Sequence, residues 1–295
     1  MLKRERGYLY PRNAGDPTSG TSSVPNESIQ LESQGFCVVP AVLGTDSIEA
    51  LTQEIDEVYQ QTPPDGRGAS YRTDDVDQEF RYEMFNRSAL CQKVVAHPDI
   101  LQVIEPLLGD DCHIIANTCW RNPASADGRA YENHGGGFWH IDAGPHIPRN
   151  ADQPWPGHLP YPVFAIGVHI YLQDCPIACG PTGVISGSHT SGQVPPADQR
   201  DDINLTWNGC GVTPLTAKAG DVAMFVSDVW HRRLPSFEGD AGRFFLQVHY
   251  GRRDIAQRLH TTDNSNQVST SARARIQSQR EAQLFGLHAP MFYDG

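Results

Sequence analysis

The chain has 295 residues and a formal net charge of −12 at pH 7, and 39% of its residues are hydrophobic. This length allows one large β domain or two small ones with a substantial core. The acidic balance argues against nucleic acid and anionic membranes as partners. There is no apolar run long enough to span a membrane and no apolar stretch after the N-terminal Met-Leu-Lys-Arg-Glu-Arg, so we expect neither a membrane protein nor a secreted one.

The N-terminal third is predicted to be a flexible segment followed by helices. Residues 1–28 form the flexible segment, because the larger part of it is rich in Pro, Gly, Ser, Thr and Asn. A helix capped by Thr45 or Ser47 is predicted to end near residue 61, since apolar residues recur there at helical spacing. A second helical pattern covers 88–108.

The remainder of the chain is predicted to be mainly β. From about 113 to 250, short strands alternate with Gly- and Pro-rich turns, a pattern typical of a barrel or jelly roll. Two long loops, 143–162 and about 191–212, interrupt the pattern, and loops of this length in a compact domain are usually functional or disordered. A polar helix is predicted over 272–284. We therefore expect a single domain over 29–295, mainly β with flanking helices.

A candidate pair of metal ligands lies in the segment Phe-Trp-His-Ile-Asp, residues 138–142. Strand side chains alternate between faces, so His140 and Asp142 point the same way and Ile141 points oppositely. Two ligands on one side of one strand can hold one ion. A His-x-Asp pair by itself is more often a surface pair, so a metal site needs a third ligand from elsewhere.

His231 is placed to be that third ligand. It follows residues 220–230, which are predicted to be a turn and then a strand rich in β-formers. Two histidines and one carboxylate on one face of a metal leave open coordination positions, an arrangement typical of non-haem Fe(II) oxygenases. The sequence thus indicates a redox enzyme with His140, Asp142 and His231 as metal ligands.

A strand-like run over 243–250 carries a candidate anion-binding residue, Arg243, twelve positions after His231. One face of this run carries four side chains, those of Arg243, Phe245, Gln247 and His249. A guanidinium on an interior face needs an anionic partner, because an unpaired buried charge is costly. A dicarboxylate cosubstrate held by a bidentate fork would satisfy Arg243, and so would an internal salt bridge with Asp or Glu.

Four stretches, in order over about residues 28–250, resemble the phytanoyl-CoA dioxygenase family of Fe(II)/2-oxoglutarate oxygenases. They are Gln-Gly-Phe-Cys-Val-Val-Pro with the following helix, Trp-His-Ile-Asp, Gly-Pro-Thr-Gly-Val-Ile-Ser-Gly-Ser-His, and the stretch from 220 to Arg243. Together they are specific, whereas no single one is. Ser186 stands where the family usually has proline and Cys179 where it often has asparagine, which affects a turn and leaves the ligands untouched.

The resemblance implies a double-stranded β-helix, a cupin-like jelly roll, with its core over about 113–250 and a C-terminal helical extension over about 256–295. It implies that His140, Asp142 and His231 bind Fe(II), and that Arg243 binds the distal carboxylate of 2-oxoglutarate. The expected reaction uses O₂, releases succinate and CO₂, and oxidises an unactivated C–H bond of a small organic molecule. We expect hydroxylation of a secondary metabolite. Desaturation, epoxidation, endoperoxidation and rearrangement stay open, whereas halogenation is disfavoured because Asp142 keeps a carboxylate where related halogenases have a small residue.

Three further positions have roles that the sequence leaves open. His169 falls where relatives place a residue facing the cosubstrate, but a lone histidine on a strand also fits a hydrogen-bonded core residue. Trp155 lies in the 143–162 loop, which we interpret as one wall of the substrate pocket and alternatively as a surface flap. Arg233 stands where some members have a small hydroxyl residue near the cosubstrate.

Two rival functions stay open at this point. One is a catalytically silent β-barrel that binds a ligand or a structural metal, and the other is a cupin-type oxygenase with the same triad but without 2-oxoglutarate, which would have no need of Arg243. We expect a small-molecule substrate, no nucleic-acid or membrane partner, and a monomer or homodimer. The seven cysteines, an odd number without repeated metal-type spacing, favour a reduced chain in the cytoplasm.

Overall fold

A computed structural model describes residues 24–62, 80–124, 137–142, 144–153, 155–259 and 268–289. Its helices are α1 (Asn26–Gln34), α2 (Thr45–Gln61), α3 (Met84–Arg87), α4 (Ala89–Val94), α5 (Pro98–Leu108), α6 (Thr270–Arg275) and α7 (Gln279–Leu284). Its strands are β1 (Phe36–Val39), β2 (Phe80–Tyr82), β3 (His113–Asn122), β4 (Ala165–Tyr171), β5 (Thr182–Ile185), β6 (Val212–Pro214), β7 (Val222–Val226), β8 (His231–Arg233) and β9 (Arg243–Gly251). Within these ranges, no helix combines the length and apolar character that crossing a membrane requires.

Two antiparallel sheets form the body of the protein. One has six strands in the order β1-β7-β4-β9-β3-β2, and the other has three in the order β6-β5-β8. Apolar side chains that include Val184, Phe225 and Phe245 form a buried cluster drawn from both sheets. This arrangement confirms the predicted jelly roll. The large sheet extends beyond the predicted core of 113–250, because β1 pairs with β7 and β2 pairs with β3.

A layer of helices covers the opposite face of the large sheet. Leu31, Ile55 and Ile104, from three different helices, share one buried cluster with Val168 and Leu246 of the sheet. Burying both faces of the sheet explains why every residue of β4 and β7 is buried, without alternation between the two faces. The helices therefore stabilise the outer face of the sheet and leave its inner face to form the site.

The N-terminal boundary differs from the prediction. Helix α1 begins at Asn26, so the predicted end of the flexible segment at residue 28 falls inside a helix, while residues 1–23 lie outside the described residues. The hydroxyl of Ser28 donates to the carbonyl of Val103 at 2.6 Å and ties α1 to α5. Gly35 ends α1 with φ of 87°, and a Cβ there would lie 2.6 Å from Nδ1 of His189, so both conformation and space require glycine.

Two details of the predicted helices were wrong, namely the capping residue of α2 and the continuity of the helix over 88–108. Gly44 occupies the cap position of α2 and no side chain caps the helix, so neither Thr45 nor Ser47 has the predicted role. The pattern over 88–108 contains two helices, α4 and α5, because Pro98 has no backbone N–H to continue α4 and instead begins α5.

The predicted helix over 272–284 is also two short helices. Ser278 interrupts it, since its backbone is extended and its hydroxyl accepts a hydrogen bond from the backbone N–H of Glu281, which begins α7. Ile276 lies between the helices and is partly buried, while Leu284 is fully buried in the helical core.

Candidate metal centre

His140, Asp142 and His231 converge on one point. Each residue offers one ligand atom, and these three atoms lie within 4.8 Å of one another. Nε2 of His231 lies 3.3 Å from Oδ1 of Asp142, and Nε2 of His140 lies 3.9 Å from the same oxygen. The strand predicted at 138–142 is reduced to a single bridge, in which His140 and His231 exchange backbone hydrogen bonds of 2.9 and 3.0 Å. That bridge is sufficient to place the two imidazoles beside each other.

Backbone carbonyls fix both imidazole rings. Nδ1 of His140 lies 2.6 Å from the carbonyl oxygen of Phe138, and Nδ1 of His231 lies 2.9 Å from that of Val229. Each Nδ1–H therefore donates to a carbonyl two residues earlier, which leaves each Nε2 facing Asp142. This is the orientation that a histidine needs in order to bind a metal through Nε2.

The electrostatics of the site hold His140 and Asp142 in the protonation states of metal ligands, whereas His231 is shifted toward its protonated form. Burial and the neighbouring His231 lower the pKa of His140 to about 4, so its ring is neutral near pH 7. Burial opposes ionisation of Asp142, but His231 and His249 outweigh it and hold the pKa of this carboxyl far below its ordinary value. Burial also acts against protonation of His231, yet the Asp142 carboxylate raises its pKa. A bound cation would take over that pairing with the carboxylate.

A third histidine, His249, lies beside the triad, and the sequence analysis did not assign it to the site. Its Nδ1 is 3.6 Å from Oδ2 of Asp142, and its Nε2 is 2.9 Å from Nε2 of Gln247. The available signal was the shared face of the 243–250 run, which places His249 on the same side of β9 as Arg243. Nothing in the sequence pattern indicated that the loop carrying Asp142 would reach that end of β9.

Arg243 is buried at the start of β9 with neutral partners. Its Nη1 donates to the carbonyl of Gly180 and its Nη2 to Oδ1 of Asn122, both at 3.2 Å. Its Nε has no hydrogen-bond acceptor, and no Asp or Glu of the described ranges forms a salt bridge with it. The internal salt bridge that the sequence left open is thus not found in the described part of the chain, and the guanidinium retains capacity for an anion.

His169 lies on β4 next to these residues. Its backbone pairs with Gln247, and its ring packs 4.5 Å from that of Phe245, centroid to centroid. Its Nδ1 is 3.5 Å from Oγ1 of Thr182. Burial, followed by the nearby Arg243, places the pKa of His169 well below its ordinary value, so the ring is neutral. Both predicted roles, a core residue and a residue facing the cosubstrate, are compatible with this position.

Arg233 is a second buried arginine in this region. It lies on β8 two residues after His231, and its backbone pairs with Thr182 of β5. Burial raises the pKa of Cys175 to about 11, and Arg243 and Arg233 both oppose that rise. Both guanidinium groups therefore lie near Cys175, in the same part of the interior.

The loop that follows Asp142 is held against the turn before His231. Nδ1 of His146 lies 2.7 Å from Oδ1 of Asp228, and the hydroxyl of Tyr161 donates to Oδ2 of Asp228 at 2.7 Å. The Asp228 side chain is 2% exposed, so both contacts are shielded from water. We refer to His146, Asp228 and Tyr161 as the loop clamp.

Trp155 packs within its own loop. Its indole N–H donates to the carbonyl of Leu159 at 2.9 Å, and its ring meets that of Tyr161 edge-on at 5.2 Å. The guanidinium of Arg149 lies over its ring. These contacts place Trp155 beside the loop clamp, and its predicted contact with substrate stays a prediction.

Two tryptophans that each directly precede a proposed histidine ligand, Trp139 and Trp230, anchor the second long loop. Trp139 donates its indole N–H to the carbonyl of Asp202 at 2.6 Å, and Trp230 donates to that of Gln193 at 2.8 Å. Both side chains are buried in one apolar cluster with Leu205. Their position excludes water from the backbone bridge that joins the two histidine ligands.

A small cavity of about 140 Å³ borders the site on the side of β3 and β9. Polar and aromatic side chains dominate its lining, which includes Tyr82, Asn117, Thr118, Trp120, Gln247 and His249. Because His249 also faces Asp142, the cavity lies one side chain away from the metal ligands.

Comparison with known families matches residues 31–234 to the model of phytanoyl-CoA dioxygenase (PhyH). This range is more than two thirds of the chain. The chain belongs to the PhyH family. It is accordingly a non-haem iron oxygenase that uses Fe(II), 2-oxoglutarate and O₂. The match contains His140, Asp142 and His231, whereas Arg243 and His249 lie beyond its end.

Solved structures of similar fold include members with iron and 2-oxoglutarate chemistry in their names. The chain is 16% identical to the α-ketoglutarate-dependent epimerase SnoN from nogalamycin biosynthesis, with a TM-score of 0.55 over 77% of this chain and 82% of that one. It is 14% identical to HygX from Streptomyces hygroscopicus bound to nickel and 2-oxoglutarate, with a TM-score of 0.56 over 85% and 94%. The carbocyclase SnoK is 16% identical, with a TM-score of 0.54 over 81% and 88%. No curated protein sequence matches the chain.

These similarities cover 77% to 85% of the chain and show a shared fold. At such low identity they establish the fold and not the substrate.

Proposed function

We propose that His140, Asp142 and His231 bind Fe(II), that Arg243 binds the distal carboxylate of 2-oxoglutarate, and that the enzyme hydroxylates an unactivated C–H bond of a small organic molecule. The observation that carries this proposal is the convergence of two Nε2 atoms and one carboxylate oxygen within 4.8 Å, in a fold that also buries an arginine without a described carboxylate partner. A metal ion would bind the three ligand atoms, and a carboxylate of the 2-oxoglutarate dianion would pair with Arg243.

The residues present fit an iron ion. Two imidazoles and one carboxylate would form a facial donor set once a bound cation displaces the extra proton of His231, and they leave coordination positions for a chelating cosubstrate and O₂. Bound iron supplies the O₂ activation and C–H oxidation that side chains cannot perform. The chain contributes orientation: the carbonyls of Phe138 and Val229 hold the ligand rings.

Arg243 would orient the cosubstrate. Its two described hydrogen bonds go to neutral oxygens of Gly180 and Asn122, which fix the plane of the guanidinium without neutralising its charge. A carboxylate that arrives there gains a charge-assisted hydrogen bond in a buried site. His169, neutral and between Arg243 and His249 in the sheet, is the proposed side chain facing the cosubstrate.

We propose a secondary metabolite as substrate. HygX has been solved with hygromycin B, and SnoN with nogalamycin RO, which supports this class. The cavity of about 140 Å³ beside His249 is the proposed substrate side of the metal site. Trp155 and the 143–162 loop are the proposed opposite wall. An epimerase and a carbocyclase among the similar structures indicate that hydroxylation is not the sole outcome this fold supports.

The expected cytoplasmic location and monomeric or homodimeric state belong to this proposal as well. All seven cysteines are free, and six of them are buried, which supports a reducing compartment. Size-exclusion chromatography with light scattering measures the oligomeric state directly.

Anaerobic titration tests the central assignment. Fe(II) and 2-oxoglutarate together should give a visible charge-transfer band that neither gives alone, and a metabolite library should then be screened for succinate release. A protein that binds Fe(II), shows no band with 2-oxoglutarate and still consumes O₂ with a substrate would be the cupin-type alternative. A protein that shows no band, no succinate and no substrate-dependent O₂ consumption would be the silent barrel.

A further inference from the structure

Two hydrogen bonds and one longer polar contact lead from the cavity wall to the carboxylate of Asp142. The indole N–H of Trp120 donates to Oε1 of Gln247 at 2.8 Å, and Nε2 of Gln247 lies 2.9 Å from Nε2 of His249. Nδ1 of His249 then lies 3.6 Å from Oδ2 of Asp142. That oxygen is buried and forms no hydrogen bond within the described residues.

The direction of these contacts follows from the first of them. An indole N–H can only donate, so the Gln247 atom that faces Trp120 is the carbonyl oxygen and the atom that faces His249 is the amide nitrogen. Nε2 of His249 must therefore accept a hydrogen bond. In a neutral imidazole the proton then resides on Nδ1, which is the atom that points at Asp142.

We propose that His249 is a positioning residue for the metal site: its Nδ1–H, 3.6 Å from Oδ2 of Asp142, attracts that oxygen electrostatically and so leaves Oδ1 as the single coordinating oxygen. Gln247 sets the tautomer of His249 that makes this possible. The inference rests on the proposed metal triad and assigns a role to residues beyond it. A freely rotating carboxylate could bind through both oxygens and occupy a position that the cosubstrate needs.

Co(II) binding measures this role without turnover. Loss of a residue that orients a metal ligand typically costs roughly 10- to 100-fold in metal affinity. We expect His249→Leu to raise the dissociation constant for Co(II) by that factor and to change the visible spectrum of the bound ion. His249→Asn should recover much of the affinity, because its amide nitrogen can occupy the place of Nδ1. Gln247→Leu should give an intermediate loss, since it removes only the group that fixes the tautomer.

His113→Leu is the matched control. His113 is a buried histidine on the neighbouring strand β3, and both its ring nitrogens are hydrogen-bonded, to the carbonyl of Ile255 and to His288. Its loss should lower the unfolding temperature and leave the Co(II) dissociation constant unchanged. An equal loss of Co(II) affinity in His113→Leu and His249→Leu would mean that general destabilisation causes the loss, and it would overturn the proposal.

The outcomes separate this inference from the proposed function. If the wild-type protein binds no Co(II), the metal triad itself is wrong. If the wild type binds it and folded His249→Leu binds it equally well with the same spectrum, the triad stands and the role of His249 is refuted. If circular dichroism shows that His249→Leu does not fold, Gln247→Leu decides, and an unchanged dissociation constant and spectrum in that variant refute the proposal.

Discussion

At the scale of single residues, the orientation of the ligands depends on very local contacts. His140 and His231 each donate Nδ1–H to a carbonyl two positions earlier, so each ring is oriented by its own segment of backbone. Their mutual position depends instead on one antiparallel bridge between the two segments. Loss of an imidazole should thus remove a ligand and leave the bridge, which consists of main-chain atoms.

His140→Ala and His231→Ala should each abolish stable Fe(II) binding and all turnover while the fold persists, because each removes one of three protein ligands. Circular dichroism and metal analysis of the purified variants provide the measurement. The charge-transfer band with 2-oxoglutarate should disappear in parallel. Near-wild-type succinate formation by either folded variant contradicts the triad.

Arg243→Ala should raise the KM for 2-oxoglutarate by roughly one to three orders of magnitude, since a buried charge-assisted pair contributes a few kcal/mol and 1.4 kcal/mol is tenfold. Arg243→Lys should recover only part of this, because an ammonium cannot reproduce the guanidinium fork. Fe(II) affinity should stay near the wild-type value. Steady-state kinetics at varied 2-oxoglutarate and metal titration check both statements.

Arg233→Ala is the control for this prediction, because Arg233 is the other buried arginine near the same interior region. A large 2-oxoglutarate defect in Arg233→Ala with none in Arg243→Ala would move the cosubstrate role to Arg233. The absence of a defect in both variants would argue against 2-oxoglutarate as the cosubstrate.

At the scale of elements, the loop after Asp142 is joined to the turn before His231. The loop clamp joins them through the buried carboxylate of Asp228, which accepts a hydrogen bond from the hydroxyl of Tyr161 and pairs with the imidazole of His146. Because the loop leaves the metal site directly, its position and that of the ligands are coupled. Trp155 packs against Tyr161 and so belongs to the same unit.

Trp155→Ala should change the KM for the substrate, or the distribution of products, by about tenfold or about 1.4 kcal/mol, with a much smaller effect on the KM for 2-oxoglutarate. The reason is the position of its loop, which begins directly after Asp142. Phe237→Ala is the control, since Phe237 is a half-exposed aromatic residue in the turn between β8 and β9. Unchanged kinetics with the true substrate in Trp155→Ala would make the 143–162 loop a surface flap.

At the scale of the whole molecule, the metal site joins segments distant in sequence. His140 and Asp142 come from the start of a long loop, His231 from the small sheet, and His249 and Arg243 from the large one. An ion bound by these segments cross-links them in the folded state only. Metal binding should therefore stabilise the fold as a whole.

Co(II) at about 100 times its dissociation constant should stabilise the protein by about 2.7 kcal/mol, if it binds the folded state alone. For a chain of this size that corresponds to a rise of several degrees in Tm, which differential scanning calorimetry resolves. His231→Ala should show no such rise at the same Co(II) concentration. A wild-type Tm that does not respond to Co(II) would contradict a resident metal site.

The sequence by itself determined the fold class, the family and the three proposed ligands. Turn-separated short strands predict a jelly roll, and a His-x-Asp pair with a later histidine is a chemical pattern visible along the chain. It located the C-terminal ends near residues 61, 108 and 284, but it missed the cap of α2 and the breaks before α5 and α7, since Gly44, Pro98 and Ser278 act through backbone geometry that competes with apolar spacing. These features are local, but the apolar spacing of the sequence does not distinguish a continuous helix from an interrupted one.

Only the tertiary structure decided which distant groups meet. The neutral partners of Arg243, the loop clamp on Asp228 and the approach of His249 to Asp142 all join segments separated by dozens of residues or more. Periodicity reports which face of a strand a residue occupies, and it placed His249 on the interior face. It carries no information on what lies opposite that face, because this depends on how the two sheets and the loop between them pack together.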